Sequence, residues 1–257
     1  MSTMDDIKTA LNMLVKARNE LSEALQKDKS RNRGAIVREL HHLSNMLGEG
    51  LTYFSQAGQD RVVDAILGQK TGGVFVDVGG YDGVRGSNTL FFEVFRNWTG
   101  VLVEPSPTQL GVAKSFRRCP CLPYAVAGVS GPGEFMEVTK GYTQMSGFLD
   151  SYDPDLLARV RGDARHEEVI HTMERRRLDD ILREADIQQV DFLSLDVEGG
   201  EMEILGDFPF QDFDITLLSV ENNAQSSDLP ELMRDKGYDL VEFAGVDDLF
   251  RKRQPSA

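Results

Sequence analysis

Ile7, Leu11, Leu14, Leu21 and Leu25 fall at offsets of 4, 3, 7 and 4, a narrow heptad-like stripe that predicts a helix over residues 4–26. Arg18 fills the slot that would complete the series, which argues against a long coiled coil. The polar stretch Gln26–Gly34 carries Lys27, Lys29, Arg31 and Arg33 and reads as a solvated connection, with contact to an anionic partner as the alternative. A second helix follows, with Ile36, Leu40, Leu43 and Leu47 on one face and Gly48 and Gly50 at its end. Residues 1–50 therefore form an N-terminal helical extension, which either packs on the main domain or mediates self-association to a homo-oligomer.

From about Ser55 the pattern changes. Short apolar strands are expected at Val74–Val78, Gly100–Val103, Leu122–Val126, Phe192–Asp196 and Ile215–Val220. Helices are expected between them at Asn88–Arg96, Gln109–Phe116 and Leu178–Glu184. This alternation implies an α/β domain over residues 51–257, built on a mostly parallel sheet with both faces covered. Tyr238–Phe243 and Leu249–Lys252 read as an edge hairpin. In such sheets ligands bind beyond the carboxyl ends of the strands, at the topological switch point. The residues at those ends therefore carry the functional question.

Charge narrows the ligands. The 257 residues hold 28 Lys+Arg against 42 Asp+Glu, a net charge of -14. That balance argues against nucleic acid, whose phosphates need Lys and Arg to neutralise them. The excess is one-sided: residues 1–146 hold 16 basic and 15 acidic side chains, residues 147–257 hold 12 and 27. Cys119 and Cys121, separated by Pro120, are too close for an ordinary disulfide and too few for a zinc site. The start MSTMDDIK lacks an apolar signal core and no apolar run suits a membrane span, so a cytoplasmic protein is expected.

Four strand ends then bring chemistry. Val74–Val78 runs into glycines at 79, 80 and 83, a spacing that does not fit the dinucleotide fingerprint G-x-G-x-x-G. Asp77 and Asp82 in the same turn disfavour a phosphate and favour a cationic ligand. Glu104 ends the next strand, 27 residues after Asp77, where a carboxylate can accept both hydroxyls of a ribose; a plain surface Glu is the alternative. Asp196, Glu198 and Glu201 end a third strand, and Glu221 and Asn222 a fourth. Such acceptors at buried strand ends are costly unless a cation, a sulfonium, a protein Arg or Lys, or a substrate proton meets them. Oxygen ligands of this kind suit Mg²⁺ or Ca²⁺ rather than zinc.

FVDVGGYDG, VLVEPSP, DFLSLDVEGGE and SVENN, with FSQAGQD and NWTG ahead of them, occur in an order and spacing that resembles the FkbM-type family of S-adenosylmethionine-dependent O-methyltransferases over roughly residues 53–253. The resemblance implies a Rossmann-like class I fold with a seven-stranded, mostly parallel sheet. It implies that S-adenosylmethionine sets its methionine part against Asp77, Gly79, Gly80, Asp82 and Gly83, its ribose on Glu104 beside Pro105, and its adenine near Ala125 and Val126. Gln56 and Asp196 complete that cofactor set. Gly80 and Tyr81 stand where many relatives have Ala and Asn. Asp196 with Glu221 and Asn222 is also similar to the metal site of catechol-type O-methyltransferases, where a cation holds the substrate oxygens. Gly199 stands where those enzymes carry a catalytic Lys, leaving Glu198, Glu201 or His171 as base. Without a metal, Asp196 or Glu198 takes the proton directly, and Asp196, Glu198 and Glu221 form the catalytic set. Glu201 and Glu203 also suit a helix start, where acidic side chains complement the dipole.

Lys140–Arg165 reads as a lid over the site or as a plain surface excursion. His41, His42, His166 and His171 form no metal-spaced set, and Arg175, Arg176 and Arg177 read as a solvated strand edge or as partners for the acidic C-terminal part. The expected activity is methyl transfer to a hydroxyl of a sugar, glycan, glycolipid or natural product. A nicotinamide-dependent oxidoreductase and a non-catalytic binding or assembly module are the rivals.

Overall fold

The computed structural model describes residues 3–50, 52–152, 154–197 and 199–254. Two helices come first, α1 (Thr3–Lys27) and α2 (Arg33–Leu47), and α3 (Gln59–Ile66) leads into the domain. The first half of the main sheet alternates β1 (Val74–Val78), α4 (Leu90–Phe95), β2 (Thr99–Val103), α5 (Pro107–Phe116) and β3 (Cys121–Leu122). An inserted unit contains β4 (Ala125–Val126), β5 (Gly131–Lys140), β6 (Gly147–Phe148), α6 (Pro154–Arg161) and β7 (Glu167–Arg176). The second half returns with α7 (Leu178–Glu184), β8 (Gln189–Leu195), α8 (Glu201–Asp207), β9 (Asp214–Glu221), α9 (Asp228–Asp235), β10 (Tyr238–Ala244) and β11 (Asp247–Lys252).

The main sheet has the order β10-β11-β9-β8-β1-β2-β3. Strands β9, β8, β1, β2 and β3 pair in parallel, and β11 runs antiparallel between β9 and β10. The order reverses between β1 and β8, which makes their carboxyl ends the switch point. Strand periodicity divides the core. Val76, Val78, Leu193, Leu195, Leu218 and Val220 face α7, α8 and α9 on one side. Phe75, Phe192 and Leu217 face Phe91, Phe92 and Trp98 on the other. Continuous apolar strands are the expected result of covering both faces.

Two expectations need correction. The single strand read at Leu122–Val126 is two strands, broken at Pro123, which lacks the N–H a ladder needs. β3 stays in the main sheet, whereas β4 joins a second sheet of order β4-β7-β5-β6. The 140–165 segment is not a plain surface excursion; its residues 143–148 line the cleft, in keeping with the alternative of a lid over the site. The segment follows the far end of the long antiparallel β5–β7 pair, which runs from Gly131↔Arg175 to Lys140↔Glu167 with a register shift between Val138 and Lys140, and it carries β6 and α6.

The arginines of the connecting and edge segments serve the fold. Arg31 pairs with Asp248 and donates to the Val246 carbonyl at 2.9 Å. Arg33 pairs with Glu242, its Nε donating at 2.6 Å. Gly34 touches Gly245 so closely that a Cβ would collide with the Gly245 carbonyl. These contacts dock α2 on the β10–β11 edge, so the basic connector meets this chain's own carboxylates. Arg175 pairs with Asp150, Arg176 with Glu184 at 2.8 Å, and Arg177 with Asp179 at 3.0 Å. Among the described residues no helix is long and apolar enough to cross a membrane.

Candidate active site

The carboxyl ends of β1, β2, β4 and β8 open into one cleft, roofed by the second sheet. Gln56, Gly79, Glu104, Pro105, Ala125, Val126 and Asp196 all line it. Gly79 has φ +78, and a Cβ there would run into the Asp196 carbonyl. Only glycine fits at that crossing of β1 and β8. Tyr81 follows, also with positive φ.

Glu104 is 6% exposed. Its two carboxyl oxygens accept from the Ser106 N–H at 2.7 Å and the Tyr81 N–H at 2.9 Å. Burial nevertheless pushes its pKa up to about 7, with Asp77 and Glu137 adding to the rise. Each oxygen keeps a lone pair beyond its backbone donor, which suits vicinal hydroxyls.

The acids of the glycine turn are placed differently from the sequence-based expectation. Asp77 does not line the cleft. It is buried beneath the turn, accepts from Thr89 Oγ1 at 2.5 Å and lies 3.6 Å from the Arg117 guanidinium. Asp82 caps its own turn, accepting from the N–H groups of Val84 and Arg85 at 2.9 and 2.7 Å. Gly80 packs on Leu102, and Gly83 (φ +74) packs on Arg117 and Ala113. These four residues build the turn from behind, and the buried Arg117 ties it together through Asp77, Glu93 and the Gly83 carbonyl.

Asp196, Glu201 and Glu221 bring carboxyl oxygens within 4.8 Å of one another. Burial, then the neighbouring carboxylates Glu221, Asp247 and Glu201, raise the Asp196 pKa well above the ordinary range, and its side chain hydrogen-bonds Glu221. Glu201 opens α8 and accepts from the Val197 N–H at 2.9 Å, so it serves both the helix start and the cluster. Asn222 is not the third member. Its amide donates to Asp248 at 2.8 Å and to the Ser226 carbonyl at 3.0 Å, and its oxygen accepts from the Ser226 N–H. Glu198 lies outside the described residues. His171 is on β7, with Nε2 2.7 Å from Glu137, and is not among the three residues of the carboxyl cluster.

Several lining residues carry no mark in the sequence pattern. Tyr124, Phe135 and Phe148 add aromatic walls. Tyr81 Oη and Thr143 Oγ1 are 2.7 Å apart, tying the glycine turn to the 141–147 loop. Buried Glu137 accepts from Ser106 Oγ at 2.6 Å and Thr108 N–H at 3.1 Å while holding His171, so it clamps the second sheet to the start of α5. Phe135-Met136-Glu137-Val138 does not alternate and all four are buried, so the stretch carries no period-2 signal for an inward face.

A glycine turn after β1, an acid closing β2 and a cleft at the switch point of a seven-stranded sheet define a class I S-adenosylmethionine-dependent methyltransferase. The methyltransferase FkbM domain matches residues 77–240, more than half of the chain, and the chain belongs to that family. No curated protein matches it. Among solved structures, a TehB-like SAM-dependent methyltransferase from Corynebacterium glutamicum aligns over 82% of this chain and 95% of its own, at 13% identity and a TM-score of 0.39. The N-terminal domain of human METTL16 aligns over 86% of this chain and 82% of its own, at 15% identity and a TM-score of 0.46. The same human domain in complex with SAH gives 14% and 0.44, with the same coverage.

Proposed function

We propose that the chain methylates a hydroxyl oxygen, with Asp196 and its partner Glu221 receiving the hydroxyl proton. The observation that carries this is the carboxyl cluster at the cleft, beside the Gly79 turn. A hydroxyl is a poor nucleophile until its proton has an acceptor, and a carboxylate with a raised pKa is a better acceptor than an ordinary one. Bound S-adenosylmethionine supplies an electrophilic methyl group on a positively charged sulfur. Glu104 is assigned to the ribose hydroxyls, Ala125 and Val126 with Phe135 and Phe148 to the adenine, and Gln56 and Gly79 to the methionine end. The family resemblance supports a sugar, glycan, glycolipid or natural-product acceptor.

A second reading gives the cluster a divalent cation. Three carboxylates with oxygens within 4.8 Å form a hard oxygen donor set suited to Mg²⁺ or Ca²⁺, held by Asp196, Glu201 and Glu221. A cation there would draw the hydroxyl and lower its pKa. Calorimetry with S-adenosylmethionine, its demethylated product and NAD(H) tests the cofactor: binding of NAD(H) alone would overturn the reading. Turnover on a panel of hydroxyl acceptors, with and without EDTA, separates the base mechanisms: loss restored by Mg²⁺ supports the cation, and indifference supports Asp196 and Glu221 unaided. A chain that binds the cofactor but releases no demethylated product with any acceptor would count against catalysis.

A further inference from the structure

The first half of α1 stands clear of the domain. Met4, Ile7 and Leu11 are 63%, 49% and 45% exposed, and no residue of α1 is buried. The second half leans on α2 and the domain through residues such as Leu25. An uncovered apolar stripe on a free helical arm is unfavourable in water, because helices draw their stability mainly from packing that face.

Beside this arm lies an open apolar groove of about 540 Å³ between α1, α2, α3, β10 and β11. Leu25, Leu40, Val62, Ile66 and Val241 line it, with Arg61 and Arg251 in its wall. Arg61 Nε and Nη2 are buried with no hydrogen-bond partner, and the guanidinium rests 4.9 Å over the Tyr53 ring. His41, 3% exposed, lines the same groove with Nδ1 unpartnered. Arg18, Arg61 and Arg251 against the single carboxylate Glu242 leave the groove wall net positive, which suits an acidic helix start. Among the described residues no carboxylate forms an ion pair with Arg61, in a chain of net charge -14.

We propose that a second copy of this chain covers both features: its α1 lies antiparallel against the first, and its leading turns enter the groove. Met4 and Ile7 then cover the apolar wall, and the acidic first turn, Asp5 and Asp6, meets Arg61 and Arg251. An antiparallel helix pair sets the leading turns of one copy beside Arg18, Ser22 and Leu25 of the other, and those three residues border the groove. The contact is reciprocal, as a two-fold interface requires, so two arms and two grooves are covered together. A lipid surface fits less well, because α1 carries four acidic side chains (Asp5, Asp6, Glu20, Glu23) and four basic ones (Lys8, Lys16, Arg18, Lys27).

Sedimentation velocity of the full chain over a concentration series tests this. A concentration-dependent dimer is expected, reduced to monomer by Leu11→Glu with an unchanged far-ultraviolet dichroism spectrum. Arg61→Glu should weaken the dimer by about tenfold, and Asp6→Arg in the same chain should restore it. If Arg61→Glu loses its fold, Arg61→Gln reads the same contact. A wild-type chain that stays monomeric throughout, a dimer indifferent to Leu11→Glu, or a charge reversal without rescue would each overturn the proposal. So would a monomer that floats with phosphatidylserine vesicles.

Discussion

Replacing Glu104 by Gln separates what this carboxyl costs the fold from what it gives the ligand. Its pKa lies at about 7 against an ordinary 4.5, and burial is the main cause. Between those values the native state keeps a proton that the unfolded chain has released, so stability falls as pH rises from about 4.5 to about 7. A tenfold difference in proton affinity between the two states is worth about 1.36 kcal/mol, so the carboxyl should withdraw about 3 kcal/mol of stability by pH 8 that is present at about pH 4. Gln cannot ionise, but its NH₂ meets an N–H from Tyr81 or Ser106, which costs roughly 1–2 kcal/mol at every pH. Without ligand, Glu104→Gln should therefore be less stable than wild type at about pH 4 and level with it or more stable at about pH 8. Denaturant or thermal melts across that range measure the crossing, at roughly 2–4 °C per kcal/mol for a chain of this size. Calorimetry at neutral pH should show S-adenosylmethionine affinity reduced at least about tenfold in Glu104→Ala, through loss of two charge-assisted hydrogen bonds. A stability difference that does not vary with pH would refute the buried-carboxyl argument, and unchanged affinity would refute the ribose assignment.

Two further outcomes follow from the site. Asp196→Asn keeps the shape but removes the proton acceptor, so turnover should fall by about 10²–10⁴-fold while cofactor affinity holds; full activity in a steady-state assay would remove Asp196 from the chemistry. Gly79→Ala introduces positive-φ strain and a collision with the Asp196 carbonyl, and should cost at least about 1–3 kcal/mol in chemical denaturation. A Gly79→Ala protein as stable as wild type would show that this strand crossing is looser than described.

The elements were legible where apolar periodicity was continuous. Val74–Val78 and Leu178–Glu184 have the bounds the pattern predicted, because strands covered on both faces must be apolar throughout and an isolated helix must show its buried stripe. Glu104 was legible because a strand end and a fixed step from the glycine turn are local properties. The second sheet was not, since β4 and β7 pair across about 50 intervening residues and neither announces the other. Nor was the groove beside α1, whose walls come from five separate elements.

The sequence by itself determined the continuous apolar strands and the helices between them in the main sheet, and which acids would stand at strand ends. Only the tertiary structure decided which of those acids face the cleft. Asp77 and Asp196 look alike in the chain, each closing an apolar strand ahead of glycines. Arg117, forty residues from Asp77, turns the first into an internal tie, whereas Glu221 and Glu201 crowd the second into a carboxyl cluster. Asn222 is drawn out of its expected place in the cluster in the same way, because Asp248 claims its amide. A carboxylate's role depends on the charges that folding brings within a few ångströms, and those come from parts of the chain its local pattern does not describe.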